Sequence, residues 1–220
     1  MRKRLKNLFT KPQPINLDVA DQSDEPSVAD AISRLREQVQ PVVDGFLEES
    51  RRVQPDLVRE YSAEERLKLC DEIIYIVNDA LRDSYTASEL THRAPEEHKQ
   101  FTMAVTCYVL WLTKVAMKTR LGMSDAAILE IIEIVHGGVT KASWYQPDLF
   151  ERMWNRIQEI LQDMPRGRYF GVTLPFTNVV LAANFAGCEL SQTNGLEFDI
   201  FLICLMKVVP DRISALFATP

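Results

Sequence analysis

The chain has 220 residues, of which 46% are hydrophobic and 25% charged, and a formal net charge of −6. These are the proportions of an ordinary globular protein, and with no internal repeat or low-complexity tract they exclude a solenoid or a low-complexity polymer. The charge is unevenly placed: Arg2, Lys3, Arg4, Lys6 and Lys11 give the first twelve residues +5, leaving −11 on the remainder. An acidic body is repelled by a phosphate backbone, so nucleic acid is not an expected partner of that part of the chain.

The first 26 residues read as a flexible charged tail, with Pro12, Pro14 and Pro26 and an acidic run at Asp18, Asp21, Asp24 and Glu25. Such a segment buries too little apolar area to offset the entropy of ordering it. Its first nine residues differ. In a helix, Leu5, Leu8 and Phe9 share one side, and Arg2, Lys3, Arg4 and Lys6 fall largely elsewhere. That is a minimal interfacial anchor, suited to a partner protein or to an anionic membrane surface. The plainer reading is a solvated basic start. No long apolar segment follows the basic residues, so no signal peptide is expected.

Residues 27–220 read as one all-helical domain. Ser27 suits an N-cap, and Val28, Ile32, Leu35, Val39, Val42 and Phe46 form a narrow apolar seam, with Pro41 expected to kink or split the helix. Ser62 and Glu65 make a capping box for the next helix, whose stripe is Leu67, Cys70, Ile74, Val77 and Leu81 and fades at Asp83-Ser84.

The central helix is expected over 95–121. From Phe101 to Thr113 no residue is charged, and apolar side chains occur all round the helical wheel. A helix apolar on every side is buried on every side. This run is too short to span a bilayer, which takes roughly twenty residues. Pro95 suits the first helical position, Glu96 and Glu97 the positive end of the helix dipole, and Lys114, Lys118 and Arg120 the negative end. Gly122 can take the left-handed conformation that closes a helix.

Ser124 caps another helix, with Ile128, Ile131, Ile132, Val135 and Val139 facing inward and Gly137-Gly138 loosening or ending it. Pro147 opens the next, and Pro165 stops it. Residues 165–175 read as a structured loop, 175–187 as a further buried helix, and Asn194 and Glu197 as the capped start of a last helix running to Pro210. The expected architecture is a bundle of about seven helices around 95–121.

Motifs with chemistry are sparse. Glu89-x-x-His92 and Glu133-x-x-His136 have the i, i+3 spacing that di-metal carboxylate bundles use twice, so a metal-dependent bundle enzyme is one reading of them. Against it, Glu89 and His92 fall in a polar connection, and surface or capping roles fit both pairs. Arg166 and Arg168 flank Gly167 shortly before a helix start, an arrangement able to bind an anion or simply to bridge neighbouring acids. Trp144 and Tyr145 make a protein-binding hot spot if exposed and an end-plug for the bundle if buried. No nucleophile elbow, phosphate-binding loop or dinucleotide fingerprint occurs, so no catalytic residue and no cofactor is assigned. Cys70, Cys107, Cys188 and Cys204 form no C-x-x-C pair and read as free thiols of a reducing compartment. The sequence therefore points to a cytoplasmic, non-catalytic helical module that binds other proteins, with peripheral membrane attachment through residues 1–9 as an added expectation.

Overall fold

The computed structural model describes residues 28–51, 58–87, 95–163 and 195–218. The chain divides into two units, Met1–Glu37 and Gln38–Pro220. Of the first, only the helical residues from Val28 on are described; the second holds the bundle. Six helices are described: α1 (Val28–Arg51), α2 (Ala63–Ala87), α3 (Pro95–Thr119), α4 (Asp125–Val139), α5 (Pro147–Asp163) and α6 (Gly195–Ala215). The basic tail, the Ser27 cap and the expected helix over 175–187 lie outside the described residues.

Helix α3 is the axis of the bundle, packed against α2, α4, α5 and α6. Every residue from 101 to 113 is buried. Its polar members are satisfied within the helix itself: the hydroxyls of Thr102, Thr106 and Thr113 each donate at 2.8 Å to the carbonyl four residues earlier. Three hydroxyls are thereby buried without calling on a neighbouring helix, and buried polar groups must be paired. The buried Tyr108 reaches outward instead, its hydroxyl donating to the Leu202 carbonyl of α6 at 3.2 Å.

Cross-helix contacts fix the directions. Arg66 of α2 pairs with Glu130 of α4, and Ile74 Cδ1 lies 3.7 Å from where a Cβ on Gly138 would sit, so α2 and α4 run the same way. Lys68 meets the Leu216 carbonyl and Arg212 meets Glu72 and Asp79, so α2 and α6 run oppositely. Glu96 meets Gln146 and Lys114 meets Gln158, so α3 and the α5 segment run alike. Helix α1 joins through Val43 and Phe46, with the Phe46 ring 5.6 Å from that of Trp111. Its end is clamped by Arg120, which binds Glu49 through two nitrogens and Asp211 through a third.

The local signals act as expected at several ends. Ser62 and Glu65 exchange both capping-box hydrogen bonds, at 3.2 and 2.8 Å. Ser124 Oγ accepts from the Ala127 amide at 3.2 Å. Gly122 has φ 63° and closes α3, and the Met123 amide reaches back to the Met117 carbonyl at 3.1 Å. The central helix thus ends at Thr119, slightly short of 121.

Other expectations need correction. α1 is not split at Pro41, α2 runs past Asp83-Ser84 to Ala87, and α6 continues through Pro210 to Ala215. Gly137 and Gly138 lie inside α4 and do not end it. At the prolines, packing of the rest of the helix outweighs a local preference worth about 3 kcal/mol. Among the described residues no helix is long and apolar enough to cross a membrane.

Candidate functional site

Helix α4 carries the features that bear on function, at its C-terminal end and along its outer face. At the end, His136 Nε2 lies 2.6 Å from the Tyr145 hydroxyl, and the imidazole stacks on Phe150 with centroids 4.5 Å apart. Trp144 packs edge-on to Tyr145, and both rings are half-buried against the core. Gln146 donates to Glu96 at 2.8 Å and ties this turn to the start of α3. Burial lowers the His136 pKa and raises that of Tyr145, so the pair is held neutral. The Trp144–Tyr145 segment therefore fastens the α4–α5 connection.

Glu133, by contrast, is exposed, while His136 packs among aromatic rings. Their partners in the metal reading, Glu89 and His92, lie outside the described residues, as do Arg166, Arg168 and the tail residues Arg2, Lys3, Arg4, Leu5, Lys6, Leu8 and Phe9. Among the described residues no group of three or more His, Cys, Asp or Glu is placed to hold a metal ion.

The outer face of α4 is the feature that sequence reasoning missed. Ile128, Ile131, Ile132 and Val135 are buried as expected. Yet Leu129 is 59% exposed and Ile134 45%, and across the junction with α2 Leu67 is 59% and Tyr75 65% exposed. Single exposed apolar side chains are ordinary. Leu67 follows Arg66 and Ile134 lies one turn from Glu130, so these two stand near the ion pair that joins α2 and α4, while Tyr75, one residue past the partly buried Ile74, is turned outward. Gly138 meets only the Ile74 side chain, and nothing lies within 4 Å of a Cβ built on Gly137. The signal was available: α4 reads DAAILEIIEIVHGGV, apolar well beyond one stripe, yet it covers only one side of α3.

The surrounding charge is mostly acidic. Glu64, Asp71, Glu130 and Glu133 are exposed on the two helices, and Arg66 is engaged with Glu130. Lys68 is directed to the Leu216 carbonyl at the α6 side. Compared with models of known protein families, with curated proteins and with solved structures, the chain matches none.

Proposed function

We propose that this chain is a non-catalytic helical module that works by binding another protein, as an adaptor, assembly factor or regulatory subunit. The observation that carries the reading is the exposed apolar side chains of the packed pair α2 and α4, Leu67 and Tyr75 on the first and Leu129 and Ile134 on the second. Solvent-facing apolar groups concentrated at one place mark interaction surfaces. The His136–Tyr145–Phe150 cluster supports the reading by holding the end of α4 in place, so that the face is presented on a rigid element.

The test is affinity capture from the native host with the full chain as bait, alongside an Ile134→Glu, Leu67→Glu bait shown by circular dichroism to be folded. The wild-type bait is expected to retain a protein at near-equal stoichiometry that the variant releases. Equal retention by both baits, or nothing retained above background by either, overturns the proposal.

A further inference from the structure

Beyond the exposed side chains of α2 and α4, we propose that the C-terminal half of α1 is a releasable cover. The seat beneath it takes a helix of a partner protein that carries an aliphatic side chain, an aromatic ring and a carboxylate at i, i+3 and i+6. α1 itself supplies that pattern in Val43, Phe46 and Glu49, in the part of the helix, from Gln38 on, that belongs with the bundle. Among the described residues of α1, Val43 and Phe46 are buried, with Val42 and Leu47 partly so. Phe46 meets Trp111 with ring centroids 5.6 Å apart, and Glu49 binds Arg120. Pro41, Asp44, Gly45 and Glu48 are turned to solvent.

The seat is held by contacts that do not involve α1. Trp111 stacks on Tyr108 at 6.2 Å, and the Tyr108 hydroxyl donates to the Leu202 carbonyl of α6. Arg120 binds Asp211 of α6 at 2.7 Å as well as Glu49, so departure of Glu49 leaves the guanidinium with a carboxylate. The Thr119 hydroxyl lies 3.2 Å from Glu49 and 2.9 Å from the Val115 carbonyl. Both donors thus keep an acceptor when α1 lifts, which avoids the penalty of stranding a withdrawn polar group. Nor does lifting draw α2 away. The chain is fastened just ahead of α2, where the Arg59 amide donates to the Gly122 carbonyl at 3.1 Å and the Tyr61 hydroxyl to the Leu121 carbonyl at 2.8 Å.

α1 is also a weak competitor for its own seat. Pro41 lies inside the helix, and nothing lies within 4 Å of a Cβ built on Gly45. Both residues weaken the helix, and no close neighbour requires the glycine. A partner helix that makes the same three contacts without them loses less on ordering and displaces α1. The α1 of a second copy fits no better than the chain's own and adds the cost of joining two molecules, so exchange between copies is disfavoured. While α1 sits in place, apparent affinity for the partner is reduced to the fraction of chains with the seat open, which makes the contact autoinhibitory.

Fluorescence anisotropy on the full chain tests this, with a labelled peptide of residues 38–51 carrying Pro41→Ala and Gly45→Ala. The peptide is expected to bind saturably, and about tenfold tighter to a Glu49→Lys chain, folded by circular dichroism, whose own α1 is loosened. The peptide further altered by Phe46→Ala should bind about tenfold or more weakly. Hydrogen exchange needs no variant: on peptide binding, amides of the chain's own 38–51 should exchange faster while those of 101–113 stay protected. Absence of saturable binding to both chains, equal binding of the Phe46→Ala peptide, or unchanged exchange in the chain's own 38–51 overturns the proposal. So does sedimentation showing a wild-type dimer that Glu49→Lys disperses, which makes a second copy's α1 the occupant. The Ile134→Glu, Leu67→Glu chain is expected to bind the peptide as wild type does; binding lost there would place the peptide on α2 and α4 and overturn the proposal as well.

Discussion

The imidazole of His136 meets the hydroxyl of Tyr145 at 2.6 Å while its face lies on Phe150. Burial lowers its pKa below the ordinary 6.5, so the folded chain favours the neutral ring more than the unfolded chain does. Between the two values the unfolded state binds more protons, so stability rises with pH and is lost as pH falls. The contribution is complete above about pH 6.5 and is lost as pH drops through the lowered folded value. Urea unfolding of wild type and His136→Phe from pH 7.5 to 5.5 measures it. The variant, which keeps an aromatic ring to stack on Phe150, is expected to show the shallower loss. Parallel losses in the two proteins would show that His136 is not the group responsible.

Tyr108 is fully buried and its hydroxyl joins α3 to the Leu202 carbonyl. Tyr108→Phe is expected to cost about 1 kcal/mol, the net worth of one hydrogen bond, and Tyr108→Ala about 3–5 kcal/mol from the cavity left in the core. Denaturant midpoints decide; comparable small losses for both variants would mean that this part of α3 is loosely packed.

Arg120 binds Glu49 and Asp211 together and so joins the ends of α1, α3 and α6, the Arg120 and Glu49 side chains being partly withdrawn from solvent and Asp211 exposed. Arg120→Ala is expected to destabilise by about 1–3 kcal/mol, because it removes a two-pronged carboxylate contact and leaves Glu49 against the bundle without its cation. Arg120→Lys should recover only part of this, since an ammonium cannot reproduce the fork. Thermal unfolding of the two variants distinguishes that geometric role from a charge effect, for which lysine would restore the whole.

These contacts also show where the sequence was readable. The buried run 101–113, the Ser62–Glu65 capping box, the Ser124 cap and the left-handed Gly122 depend on residues close together in the chain, and each is visible from spacing alone. Leu129 and Ile134 are different. An apolar side chain does not state which neighbour covers it: the breadth of apolar residues in α4 signals a surplus, but not which of its sides meets the core. Pro41 and Pro210 misled for the opposite reason: the local rule is sound, but helix packing elsewhere in the bundle outweighs it. Trp144 and Tyr145 were open between hot spot and plug because their burial depends on Phe150 and His136, residues on two different helices.

Gly137 offers a separable test of stability against binding. With open space around it and no positive φ, Gly137→Ala is expected to stabilise the chain by about 0.5–1 kcal/mol through helix propensity. Denaturant midpoints of wild type and variant decide, and retention of a captured protein by the variant reports whether the open face at Gly137 is used in binding. A variant no more stable than wild type would show that Gly137 does not weaken α4.

The burial of 101–113 on every side has a consequence for how the molecule comes apart. α2, α5 and α6 each pack most heavily on the helix that holds this segment, and α4 packs on α2 and then on it, so none of them has a private core to fall back on. Fraying of that segment strips cover from all its neighbours at once, and the bundle should melt in a single concerted transition. Fragments cut on either side of α3 should be unable to fold alone, and limited proteolysis should yield either the intact bundle or short peptides, with no stable half.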